Sequence, residues 1–302
     1  MSSLPEDIII DIILRLPVKS ILRFRCVCKP WCKQFSGPNF VKMHFKQAVE
    51  MSKFNLMIAD SYLYSINYDS LSSSLTASTL SSSPSLVTKF DEVYAIDYPY
   101  KTADYIVEIL GSCNGLLCII PDKYVICIWN PSTKEYKELP TLEHFKFTTN
   151  LSTRITYGFG YNCNIEDYKL VRVVTGFYGL SEVMVYSLAS NSWKSIQNIP
   201  YDLSYGGQPG VLVNGALHWI AARGMSSKGC EVVLVSFDIG DETFKKVPQP
   251  KNLNKQKFHK TVGELGGSAD KFGVVPTVLW NGMESMLVFG SQNQAGNTFP
   301  RM

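Results

Sequence analysis

The sequence predicts an α+β protein of two units, a short N-terminal helical module followed by an all-β, propeller-like remainder. Three observations carry this. Asp7, Asp11 and Arg15 recur every fourth residue through an otherwise apolar stretch, which is the period of a helix and not of a strand. Beyond about position 54 the chain turns to short apolar and aromatic runs between turn residues, and two Asn-Gly dipeptides each lead into such a run, the hairpin signal. One phrase, an apolar strand, a polar turn and a second strand ending in proline, occurs three times with its aromatic pair always seven residues apart.

The first helix follows Leu4-Pro5 and runs to Leu16-Pro17. Ile8, Ile9, Ile10, Ile12, Ile13, Leu14 and Leu16 cover most of its circumference, and a helix apolar nearly all round must be buried on nearly all sides. A short terminal unit cannot do that alone, so the helix reads as half of an interface. Val18 to Val27 forms a second, short helix, with Val18, Ile21, Leu22 and Phe24 apolar and Lys19 and Arg23 four apart on the wet side. Pro30 suits the first turn of a third, Trp31 and Phe35 lie four apart on it, and Gly37-Pro38 ends it. Phe40, Val41 and Phe45 extend the apolar surface, giving a three-helix module over residues 1–46.

Composition excludes several classes of partner. With 45% apolar and 18% charged residues the 302-residue chain has the make-up of a folded protein. A net charge of +3 is too small and dispersed for a nucleic-acid surface. Acids interrupt the N-terminal apolar run from Glu6 onward and no run of about 18 apolar residues exists to span a bilayer, so the expectation is no membrane and a cytosolic or nuclear location. Cys26, Cys28 and Cys32 lack a matching Cys or His pair at zinc-finger distance, and Cys113, Cys118, Cys127, Cys163 and Cys230 mostly sit in apolar runs. Reduced thiols, with no metal and no cofactor, are expected.

The β portion, 47–290, opens on residues 70–85, nine of them serine, read as a long loop. Asn114-Gly115 precedes Leu116 to Ile120, and Asn214-Gly215 precedes Ala216 to Ile220. The recurring phrase pairs Trp129 with Tyr136, Tyr186 with Trp193 and Phe237 with Phe244, at intervals of 57 and 51 residues. That interval is near the roughly 50-residue period of kelch-type blades, and a single hairpin exposes a face it cannot bury alone. Residues 291–302 form a tail.

Leu4-Pro5, Ile12-Ile13, Leu16-Pro17-Val18-Lys19-Ser20, Leu22 through Lys29 and Trp31 closely resemble the plant F-box. Ser112 through Cys118, Trp129-Asn130-Pro131-Ser132-Thr133 and Val213 through Trp219 are similar to phrases of the F-box-associated domain of plant F-box proteins. After Gly266-Gly267 that family continues with a further apolar strand and an aromatic segment, whereas here Lys271-Phe272 and Trp280-Asn281-Gly282 follow almost at once. One blade looks deleted, and an open or strained ring is expected. Gly111 through Gly115 has the form of a nucleophile elbow with Cys113 at its centre, and His144, His218 or His259 could serve as base. That elbow must lead into a helix, and Leu116 to Ile120 reads as a strand, so no catalytic residue is assigned.

The resemblance implies a non-catalytic substrate receptor of a Skp-cullin-F-box ubiquitin ligase. Leu4, Pro5, Ile9, Ile13, Leu16, Leu22, Val27 and Trp31 would meet a Skp-type adaptor and, through it, cullin, while the propeller would hold a protein target. An F-box protein acting outside a ligase and a propeller-fold enzyme are the alternatives.

Overall fold

The computed structural model describes residues 5–51, 55–59, 62–67, 93–142, 153–176, 180–226, 229–248, 260–264, 272–276 and 285–287. Four helices lead: α1 (Glu6–Leu14), α2 (Val18–Arg25), α3 (Lys29–Phe35) and α4 (Pro38–Glu50). The expected three-helix module thus gains a fourth helix. Gly37-Pro38 does end α3, but Pro38 also opens α4, where its missing N–H has no intrahelical partner to lose. Phe40 then anchors α4 with its ring 5.0 Å from that of Phe35, and the helix runs through position 46, the expected boundary, to Glu50.

The β portion continues with β1 (Asn55–Ala59), β2 (Leu63–Asn67), β3 (Val93–Ala95), β4 (Glu108–Cys113), β5 (Leu116–Asp122), β6 (Val125–Trp129) and β7 (Tyr136–Glu138). Next come β8 (Arg154–Asn162), β9 (Asp167–Thr175), β10 (Ser181–Ser187), β11 (Ser192–Ile199) and a 3-10 turn at Leu203–Gly206. The rest are β12 (Val211–Val213), β13 (Ala216–Ser226), β14 (Gly229–Asp238), β15 (Thr243–Val247), β16 (Lys260–Glu264), β17 (Phe272–Pro276) and β18 (Ser285–Leu287). Strands β4 to β7, β8 to β11 and β12 to β15 are four-stranded antiparallel meanders, β16 pairs with β17, and a fourth four-stranded sheet has the order β18-β1-β2-β3.

These sheets are arranged as propeller blades. Strand β18 lies beside β4, β4 beside β8, β8 beside β12 and β12 beside β16, so the first strand of each sheet lines a common axis. Gly158 of β8 and Gly210, at the entry to β12, bridge in parallel, so these two inner strands run in the same direction. Each meander therefore sends its first-to-second and third-to-fourth turns to one face and its second-to-third turn to the other.

The repeats of the sequence map onto this plan. Both Asn-Gly pairs are the tight turns between first and second strands, with φ of 51° and 79° at Asn114 and Gly115 and 48° and 76° at Asn214 and Gly215, as a type I′ hairpin requires. The aromatic pairs are cross-strand partners of third and fourth strands: Trp129 opposite Tyr136, Tyr186 opposite Trp193, Phe237 opposite Phe244. The core sits between blades. Met57, Ala59 and Leu63 of one blade pack with Leu117, Ile119 and Trp129 of the next, while all nine residues of β9 are buried because neighbours cover both its faces.

The region read as the remnant of a deleted blade is used differently. Its strands β17 and β18 do not pair with each other; β17 pairs with β16, and β18 runs antiparallel to β1 with Met286 opposite Ile58. A C-terminal strand thereby completes the N-terminal sheet. The serine-rich stretch 70–85, Gly266-Gly267, His144, His259, Trp280-Asn281-Gly282 and the tail 291–302 lie outside the described residues.

Candidate adaptor-docking surface

The helical unit is held by a small aromatic core. Ile13, Ile21, Phe35 and Phe40 are buried, with Ile9, Leu14, Leu16, Phe24 and Trp31 packed against them. Trp31 stands edge-on to Phe24 at 5.6 Å and tilted against Phe35 at 5.6 Å, spacings at which aromatic pairs attract beyond their burial. Pro5 caps α1 and its carbonyl accepts from the Ile8 and Ile9 amides at 3.1 and 3.3 Å. Glu6 and Asp7 occupy the first turn of α1, where negative charge meets the positive end of the helix dipole, and Glu6 accepts a 3.1 Å hydrogen bond from Gln34 of α3. His44 of α4 hydrogen-bonds through Nε2 to the Leu16 carbonyl at 2.9 Å. The four helices are thus one packed body.

This packing divides the eight residues expected at the adaptor. Leu4 lies outside the described residues. Ile13 is 4% exposed and belongs to the interior of the unit, while Ile9, Leu16 and Trp31 are half-buried against that same core. Leu22 is half-buried, Pro5 is exposed at the head of α1, and Val27 is 65% exposed. Ile8 and Ile12 of α1, 49% and 50% exposed and one helical turn apart, were not singled out by the sequence as docking residues. Six isoleucines and leucines crowd α1, and only packing shows which of them turn outward.

The second and third helices are basic. Helix α2 contributes Lys19, Arg23 and Arg25 without an acid, the last two in its final turn, where they complement the helix dipole. Lys29 and Lys33 follow, exposed, on α3. Cys26, Cys28 and Cys32 are exposed free thiols, and among the described residues no group of His, Cys, Asp or Glu side chains could hold a metal.

The elbow-like run Gly111 through Gly115 lies on β4 and its hairpin turn into β5, a strand and not a helix. Burial pushes the Cys113 thiol up to about 12, leaving it protonated and a poor nucleophile. His218 is spent on its own strand, its Nδ1 hydrogen-bonded to the Ala216 carbonyl at 3.0 Å, and burial lowers its pKa.

The helical unit meets the propeller at the face that carries the turn between β8 and β9. Lys42 of α4 pairs with Glu166, in the turn between β8 and β9, at 3.5 Å. The far rim carries the second-to-third turns and the entries to the inner strands. Exposed there are Tyr62, Ile106, Tyr124, Ile155, Leu180 and Tyr205.

The chain thus combines a packed four-helix unit with a propeller that exposes aromatic side chains on one rim. The chain belongs to the F-box associated beta propeller family, whose profile matches residues 54–266, with an F-box domain matching residues 1–43. It is similar to an F-box/kelch-repeat protein of Arabidopsis thaliana, 29% identical across 88% of this chain and 70% of that protein. The F-box protein CPR1 of the same plant is 30% identical across 83% of this chain and 61% of its own length, and a further Arabidopsis F-box protein is 28% identical across 83% and 61%.

Proposed function

We propose that this chain is the target-recognition subunit of a Skp-cullin-F-box ubiquitin ligase, binding rather than catalysing. The observation that carries the reading is the coexistence in one chain of an F-box domain with an exposed apolar patch and a propeller of the F-box associated family. The F-box helices dock on a Skp-type adaptor, which connects the chain to cullin. Ubiquitin transfer is the work of the conjugating enzyme assembled there, in the cytosol or nucleus. A protein target is held on the rim opposite the helices, where Tyr62, Tyr124 and Tyr205 offer rigid amphipathic contact area of the kind that dominates protein-recognition surfaces.

The structure changes how this should be tested. Aspartate at Ile13 would unfold the helical unit and abolish binding for an uninformative reason, whereas Ile12 and Val27 are already in water. The Ile12→Asp/Val27→Asp double variant is expected to keep its far-ultraviolet dichroism and melting temperature while losing co-purification with a Skp-type adaptor. Undiminished co-purification by that folded variant would refute the proposed function.

A further inference from the structure

The helical unit and the propeller are joined covalently at one place, between the end of α4 and the start of β1. One covalent connection does not by itself fix how one body sits on another. The Lys42–Glu166 pair is a second attachment, and it falls on the blade built from β8 to β11, not on the blade that β1 enters. Both partners are rigidly presented. Lys42 lies two residues beyond the buried Phe40 on α4 and is itself only 22% exposed in its side chain. Glu166 closes a turn in which Asn162 Oδ1 accepts from the amides of Asn164 and Ile165 at 2.8 and 3.1 Å. The next residue, Asp167, accepts from Ser187 Oγ at 2.6 Å and from the Ala189 amide at 2.9 Å. The pair therefore joins two ordered stretches of backbone, with the Glu166 side chain 44% exposed.

The tether and the charge pair thus hold the helices at two different blades of the propeller.

We propose that Lys42 and Glu166 are positioning residues that dock the F-box helices on the propeller and set the direction in which the target rim faces relative to the adaptor surface. The contact is a property of the chain alone, so its test is separate from adaptor binding and from the proposed function. The full chain would carry a dye pair on azide-bearing residues introduced at the exposed positions Asp7 and Gln197, read by single-molecule energy transfer. Wild type gives one narrow population. Lys42→Glu and Glu166→Lys each broaden it, lowering the docked-to-undocked ratio by about two- to fivefold, the range open to such ion pairs. The double charge swap Lys42→Glu/Glu166→Lys restores the narrow population. Salt at about 1 M, which shortens the screening length to about 3 Å, broadens wild type as the single reversals do. Single reversals that leave the distribution unchanged, or a double swap as broad as either single variant, would overturn the proposal.

Discussion

Glycine serves this protein through absence of bulk as well as through backbone freedom. Trp219 is 1% exposed and donates from Nε1 to the Tyr157 carbonyl at 3.3 Å, wedged where β8 meets the entry to β12. A methyl group on Gly210 would lie 2.3 Å from the Trp219 ring, and one on Gly158 2.5 Å from it. Gly210→Ala is therefore expected to cost about 1–3 kcal/mol, the range for overpacking, seen as a lowered denaturation midpoint. A second single-residue effect is electrostatic. Glu242 accepts from Lys169 and from Lys194, each at 2.6 Å, tying the β8 to β11 blade to the next. Burial would raise its pKa, but those two ammonium donors outweigh it and hold the carboxyl below its ordinary value. A depressed native pKa gives stability that is complete above the unfolded value, about 4.3, and is lost as pH falls through the native one. Glu242→Gln should thus destabilise at pH 7, and the gap to wild type should narrow below pH 4 in denaturant titrations.

At the scale of elements, the hairpin turns and the helices answer to different physics. Gly215 has φ of 76° and a methyl there would meet nothing within 4 Å, so Gly215→Ala isolates the backbone cost of a left-handed conformation, about 1–2 kcal/mol. Its effect should show as lost stability without the packing changes that Gly210→Ala brings. The hairpin was legible because Asn-Gly followed by an apolar run has one inexpensive conformation. The end of the helical module was not. Gly37-Pro38 carries both a stop for α3 and a start for α4, and local chemistry does not distinguish a helix that ends there from one that ends and begins again. Packing of Phe40 on Phe35 decides it.

For the whole molecule, the first blade depends on a strand from the far end of the described chain. Strand β18 pairs with β1 from Met57↔Leu287 to Ala59↔Ser285, and it is β18 that stands next to β4. Unpaired strand edges recruit other chains. Met286→Pro, which removes a backbone donor from this strand, should lower the melting temperature and promote concentration-dependent aggregation by light scattering, while a variant at an exposed site such as Gln197→Ala should not. An unchanged melt for Met286→Pro would mean that the β18 to β1 pairing contributes nothing to stability.

The sequence by itself determined the two-unit plan, the hairpins at Asn114-Gly115 and Asn214-Gly215, and the blade phrase. Each is written in neighbours: a period of four, a turn dipeptide, an aromatic pair seven residues apart that becomes a cross-strand pair as soon as the hairpin forms. The tertiary structure alone decided which isoleucines of α1 face inward, so that Ile13 joins Phe35 and Phe40 while Ile8 and Ile12 stay open. It also decided that β18 completes the sheet of β1, and that Lys42 meets Glu166. Those contacts join residues more than a hundred positions apart. Their formation depends on shape and on loop closure, which periodicity in a linear chain does not encode.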